Sequence, residues 1–386
     1  MSPFFHKSHD TLALIIDIQS SVVRGTLIFC HATDLPHIAW TSDISIPFRP
    51  QEGGAYLVDS AVKAIGTIAS SAHTFIRDTQ AHPTLQLPSH IGKVHCVLSS
   101  PWIVSQARSV YQKMEKETRI TRSFVKNIIQ KERRTMISSD SEMMVAIEEK
   151  IFDVRLNGYS IVEWENNKSD TFEVSFAISL AGKSTISRFT EECKKAGVTT
   201  THIDFHSSLL LQHIAIDSTS LTVDPHILIH VHGELTDIVI STGETCILFG
   251  SHPMGVRTII RQLAEKRSIS TSEADSMVTL LEAKQLDPIH STVDANALSE
   301  IVNIWIKKST EIISLAPKTY QPLNIIISSR FHETLFKTAI SSAYPSIKTD
   351  TLSSEHLYSL ATFASQAEKL RLTILYMEAI HRLETF

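Results

Sequence analysis

The sequence predicts an α/β protein of two similarly built domains, with a small α+β module inserted in the first. Three observations lead there. An apolar strand, a short polar turn, a second strand and a third, followed by helices, opens at Thr11 and opens again at Ile227. Such units bury their apolar faces by stacking in layers, so a repeated unit argues for two facing domains. The chain has 386 residues, more than one compact core holds, and its 42% hydrophobic and 20% charged residues are ordinary for a globular protein.

The elements follow in order. Thr11–Ile16 is a continuous apolar run ending on Asp17, and Val22–Phe29 is a second, separated by Asp17-Ile18-Gln19-Ser20-Ser21, which reads as a hairpin turn. A third strand is expected at Ile38–Ile46. Tyr56–Arg77 carries Leu57, Ala61, Ala64, Ile65, Ile68, Ala72 and Phe75 at helical spacing. Residues 79–90, with Pro83 and Pro88, read as a loop. Val94–Leu98 is a buried-type strand, and Ile103–Val110 resumes a strand pattern. Thr121–Met136 reads as a helix capped by Thr121 or Ser123, and Val145–Leu156 and Thr171–Ala181 as strands. Strand, helix, strand, strand describes the inserted module. A helix at Ser184–Ala196 ends on Gly197, and a strand at Val198–Phe205 leads to a helix at Ser207–Ile216. In the second unit Ile227–Val231 and Asp237–Ser241 form a hairpin around His232-Gly233-Glu234-Leu235-Thr236, and Cys246–Phe249 is the third strand. Helices are expected at 256–266, 272–283 and 293–314, a strand at Leu323–Ile327, and helices at Phe331–Ser342 and from about Ser365 to Phe386.

Composition narrows the function. The net charge is −5 with 19 histidines, so no strong basic field invites nucleic acid. Cys30, Cys96, Cys193 and Cys246 are scattered without a C-x-x-C pair, and a reducing compartment is expected rather than disulfides or a zinc site. Met1–Asp10 does not read as a signal peptide, and no apolar stretch is long enough to span a bilayer. A cytoplasmic protein, at most peripheral at the inner face of the membrane, is expected.

Two β-hairpins whose turns face a shared cleft resemble the phosphate-binding loops of the actin/Hsp70/sugar-kinase superfamily, and within it the FtsA/PilM kind. Leu14 to Val23 is similar to the first loop of that family, which runs aspartate, apolar, glycine, two small hydroxyl residues. Gly92-Lys93-Val94 to Val97, with Ser99 to Val104, resembles the strand that enters the family's inserted (SHS2-like) module. Asp153 to Tyr159 resembles the later strands of that module, and Lys195-Ala196-Gly197-Val198 the helix ending before the second domain. Ile229 to Asp237 stands where the second phosphate loop belongs. Pro253-Met254-Gly255-Val256, helix 258–266 and Ser270 to Asp275 resemble the stretch just after that loop.

The resemblance implies two duplicated actin-like (ribonuclease H-like) domains: 1–92 and 182–224 for the first, 93–181 for the module, and 225–386 for the second, with a helical subdomain at about 266–318. It implies ATP and Mg²⁺ contacts at Asp17, Gln19, Ser20, Ser21, Gly233, Thr236, Asp237, Ser328 and Ser329, with Asp17 holding Mg²⁺ through water. Backbone N–H groups at Gly- and Ser-rich turns bind phosphate oxygens, and acidic residues beside them hold the metal.

The loops depart from the pattern. Gln19 replaces a glycine, His230 an aspartate and His232 a glycine, and Ser328-Ser329-Arg330 stands where two glycines form the adenosine loop. A side chain at a turn position with φ > 0 costs roughly 1 kcal/mol or more. The expectation is weak or lost ATP binding and a scaffold without catalytic residues. The resemblance implies a partner such as the cytoplasmic tail of an inner-membrane protein or a division or pilus component, with self-association possible. An FtsA-like division protein or an active polymerising ATPase is the alternative.

Other features keep two readings. Asp17 is a metal holder or a remnant of one. Thr236 and Asp237 keep a hairpin turn or contact phosphate. His230 and His232 share a strand face, as metal ligands would, with His226 nearby. The segment from Arg119 to Arg134, with six cations against Glu132, is a docking or lipid-headgroup face or plain solvated surface. Trp102 is a packed anchor or a contact. The terminal helix packs on the body or a partner, or lies on a membrane; residues 368–386 balance to zero charge, unlike a basic membrane-surface helix.

Overall fold

A computed structural model describes residues 11–30, 36–49, 51–80, 87–136, 143–198, 202–218, 225–243, 245–285, 288–352, 362–363 and 372–380. Two sheets repeat one topology. In the first, β1 (Thr11–Ile18) lies between β2 (Val22–Cys30), antiparallel to it, and β4 (Lys93–Leu98), parallel to it. β3 (His37–Ser45) pairs antiparallel with β2, and β9 (Ile203–Ser207) parallel with β4. In the second, β10 (His226–Val231) takes the place of β1 between β11 (Thr236–Thr242) and β13 (Asn324–Ser329), with β12 (Thr245–His252) and β14 (Lys348–Thr351) outermost. The senses of pairing are the same throughout.

The central strands are apolar on both faces because both faces are covered. Leu12, Leu14, Ile16 and Ile18 of β1 face α1 (Gly53–Gln80) and α3 (Lys183–Lys195), whereas Ile15 faces the other way. Ile227, Ile229 and Val231 of β10 face α5 (Val256–Arg267), α6 (Thr271–Glu282), α7 (Pro288–Ile313) and α8 (Glu333–Ala343), whereas Leu228 turns inward. The inner faces share one core: Ile15, Ile28 and Val97 from the first sheet, with Leu228, Val239 and Ile326 from the second.

Two helices fill that shared core. α4 (Ser208–Ser218) brings Leu211 and Ala215, and α9 (372–380) brings Ile374, Leu375 and Tyr376. Tyr376 Oη lies 2.8 Å from Ser208 Oγ, a buried hydroxyl pair joining the helices. The described part of the terminal helix thus packs on the body, between the sheets; the rest of the expected 365–386 helix lies outside the described residues. β15 (Thr362–Phe363) pairs parallel with β3. The chain expected as one second domain over 225–386 therefore gives this strand back to the first sheet.

The inserted module is a sheet in the order β5 (Ile103–Arg119), β8 (Lys168–Gly182), β6 (Met144–Leu156), β7 (Tyr159–Ser160), covered by α2 (Arg122–Met136). Phe172, Val174, Phe176 and Ile178 of β8 sit in its core with Val125 and Ile129 of α2. β5 runs nine residues beyond the expected Val110, carried by backbone pairing to β8 where its side chains are mostly polar. Among the described residues no helix is long and apolar enough to cross a membrane.

Candidate functional site

The ends of β1 and β10 bring two hairpin turns face to face. Each turn is closed in the same way: Gln19 N–H donates to Val22 O at 3.0 Å, and His232 N–H to Leu235 O at 3.1 Å. Asp17 is paired in register with Arg24, and His230 with Asp237. Neither Gln19, His230, His232, Ser328 nor Ser329 has a positive φ, so the strain expected of side chains at these positions does not arise. Gly233 is needed for another reason. A Cβ there would collide with the Ser21 side chain across the cleft.

The turns are stitched together by side chains. Ser20 Oγ accepts the Glu234 N–H at 3.0 Å and lies 3.1 Å from His232 Nδ1. His232 Nε2 lies 3.1 Å from Asp237 Oδ2, which also accepts the Ser100 N–H at 3.2 Å. In turn one, Gln19 Nε2 folds back onto Asp17 Oδ2 at 2.8 Å. Trp102 Nε1 donates to Gln19 O at 3.1 Å, so the root of the inserted module is bonded to turn one by Trp102 and to β11 by Ser100. Trp102 is a packed anchor, 6% exposed and edge-on to Phe189.

Charge follows burial. Burial pushes the Asp17 carboxyl up to about 6, against the pull of Arg24, Gln19 and His232. Burial works to raise Asp237 as well, but His232 and the Ser100 N–H outweigh it and hold that carboxyl below its usual range. Burial, aided by His232, lowers the His230 imidazole to about 3, so it stays neutral. Asp43 receives Arg24 through both Nε (2.7 Å) and Nη2 (3.2 Å), and also Arg330. Arg330 of the expected adenosine loop thus ends on a carboxylate of β3.

The other expected residues are held by neighbours of their own. Thr236 Oγ1 donates to Met254 O at 2.7 Å and accepts Trp305 Nε1–H at 2.9 Å. Ser328 Oγ lies 3.2 Å from His230 Nδ1, and Ser329 Oγ donates to Phe331 O at 2.7 Å. Asp17, Gln19, Ser20, Ser21, Gly233 and Asp237 thus converge, while Thr236, Ser328 and Ser329 are engaged by β-strand and helix neighbours. Sequence reasoning missed Arg24, Asp43, Ser100, Glu234 and Trp305. A lone arginine inside the apolar run Val22–Phe29 was a readable signal; the others gave none.

Three chemistries can be weighed. His230 and His232 do face one way, with rings 5.3 Å apart, but His226 is engaged by Ser241 Oγ at 3.0 Å. Among the described residues no three His, Cys, Asp or Glu side chains converge to hold a metal. Ser20, His232 and Asp237 have the order of a nucleophile relay. Yet each is at most 4% exposed, and Ser20 Oγ already accepts an amide N–H, so no substrate carbonyl reaches it.

A triphosphate with Mg²⁺ needs free N–H groups at both turns. Here the Glu234 N–H is taken by Ser20, the His232 ring stands between the turns, and Ser21 presses on Gly233. Asp17 Oδ1 and Asp237 Oδ1 are left without a protein partner, yet Gln19 and His232 hold their other oxygens. The residues in this arrangement do not fit the phosphates and their metal. Beside turn two an open hollow of about 420 Å³ remains, lined by Phe48, Arg257, Ile260, Arg261, Asp275 and Phe331. Arg261 stacks on Phe48 there, 4.2 Å from the ring centre, and grips Glu234 at 2.8 and 2.5 Å.

No protein-family model and no curated protein sequence matches the chain. Among solved structures it is similar to PilM in a PilM–PilN type IV pilus biogenesis complex, with 9% identity over 97% of this chain and 98% of that one and a TM-score of 0.65. EutJ, an ethanolamine utilization protein from Carboxydothermus hydrogenoformans, is 10% identical over 97% of this chain and 90% of that one, with a TM-score of 0.49. The first likeness, with the repeated topology above, shows that the chain has the two-domain actin-like fold.

Proposed function

We propose that the chain is an actin-fold scaffold of a membrane-associated machine, PilM-like in role, in which ATP binding is weak or lost. The observation that supports it is the seal between the turns: Glu234, Ser20, His232, Asp237 and Ser100 form one hydrogen-bonded line across the phosphate cleft. The same line joins both domains to the root of the module, so the former nucleotide site acts as a structural junction. Its partner is the cytoplasmic tail of an inner-membrane protein, docking at the module, much as the solved PilM stands in a complex with PilN. A notch of about 260 Å³ at the module's root mixes hydroxyls (Ser99, Ser100, Ser105) with apolar Ile103, Val104 and Phe249, a lining that suits an extended peptide.

Calorimetric titration with ATP, with and without Mg²⁺, tests the reading. Binding should be absent or weak at millimolar ATP, and Mg²⁺ should not tighten it. Tight Mg²⁺-dependent binding with a raised melting temperature would put the ATP-driven switch in its place. Capture of single cytoplasmic tails from a membrane-protein peptide set, lost in Val104→Asp, tests the partner side.

A further inference from the structure

The inserted module presents a face of one charge. Helix α2 buries Val125 and Ile129 against the module sheet. Its solvent side, from the flank of that buried stripe round to the far face, exposes Arg122, Ser123, Lys126, Asn127, Lys131 and Arg134. The helix carries five cations and one carboxylate, Glu132, which is only partly exposed on the flank of that face. Neighbouring elements supply two counter-ions: Glu165 meets Arg122 at 2.7 Å and Glu149 meets Arg133 at 3.0 Å. Lys126, Lys131 and Arg134 make no ion pair among the described residues. With the chain at −5 and this helix at +4, all other residues together stand at −9.

We propose that this face of α2 docks on an anionic phospholipid surface. Such a surface attracts a cluster of Lys and Arg and repels the acidic remainder, so it selects one orientation, with α2 toward the lipid. The face carries long cationic stems and no exposed large apolar side chain, which suits adsorption among headgroups without insertion. A convex helix side also suits a flat field of charge better than it would clasp an acidic peptide. The contact is distinct from the tail docking above, and either can fail without the other.

Flotation of the full chain with vesicles is the test. Mixed phosphatidylcholine–phosphatidylglycerol vesicles should carry the protein at low salt, phosphatidylcholine vesicles should not, and high salt should release it. Replacing Lys126, Lys131 and Arg134 together by Gln should weaken binding about fivefold per cation, roughly a hundredfold in all. The charge-keeping set Lys126→Arg, Lys131→Arg and Arg134→Lys should retain it, with unchanged circular dichroism for both. No binding of the wild-type chain to the anionic vesicles overturns the proposal, as does equal binding by the Gln set. Binding to polyglutamate but not to vesicles also overturns it and points to an acidic protein.

Discussion

The two hairpin turns make a controlled comparison within one chain. In both, the second pair from the turn joins residues seven positions apart, Asp17 with Arg24 and His230 with Asp237. Both close with the same backbone bond. In both, the first turn residue sends its side chain back to a carboxylate: Gln19 to Asp17, on its own strand, and His232 to Asp237, on the opposite strand. The carboxylate has thus changed strands, and its electrostatic standing changes with it. Asp17 is an acid held up by burial, and Asp237 is held down by an imidazole. The same backbone turn can therefore host a charge that costs stability or one that contributes it, depending on how the groups around the carboxylate weigh against its burial.

The largest expected effect is on the second turn. Asp237→Ala removes the acceptor of both His232 and the Ser100 N–H, and should lower stability by about 3–5 kcal/mol in urea unfolding. A loss below about 1 kcal/mol would mean that the imidazole is not anchored there. Next comes Gly233→Ala, whose Cβ has no room against Ser21; a loss of about 1–3 kcal/mol is expected, with the turns forced apart. Asp17→Asn should act in the opposite sense, gaining about 1–3 kcal/mol at neutral pH because it relieves a buried charge. Equal losses from Asp17→Asn and Asp237→Ala would erase the contrast. The smallest effect is Ser20→Ala, about 1 kcal/mol from one cross-domain hydroxyl.

The pH profile sharpens the same contrast. Asp17 titrates near 6 in the folded chain against 3.8 for the ordinary carboxyl. Its contribution is complete below 3.8 and is lost as pH rises through about 6. Asp237 has a lowered folded value, so its contribution is present above 3.8 and is lost as pH falls. Thermal unfolding of Asp17→Asn should show the stability decline between 3.8 and about 6 removed, with the loss at lower pH unchanged.

Much of the architecture was legible because continuous apolar strands buried on both faces announce themselves, as at Thr11 and Ile227. β14 was not, since Lys348–Thr351 is polar and joins the sheet by backbone pairing to β13, and β15 is two residues long. The turns were readable from Asp17, the serines and Gly233. The filling of the cleft was not: Ser20 meets His232 across 212 residues of sequence, and no local pattern encodes such a distance. His232 looked like erosion of a glycine; in space its ring bridges Ser20 of turn one and Asp237 of β11.

Helix α9 has a consequence for how the chain is made. It covers the inner faces of both sheets, yet it is translated long after β1, β2 and β4. Domains emerging from the ribosome tend to fold as units, first domain first. Here neither sheet can finish alone, because Ile15, Ile28 and Val97 wait for the same late helix as Leu228, Val239 and Ile326. A growing chain therefore carries bare apolar faces until residues 372–380 have emerged. Cellular holdases would meet it in that state, and a premature stop before residue 372 would leave a product fit mainly for degradation.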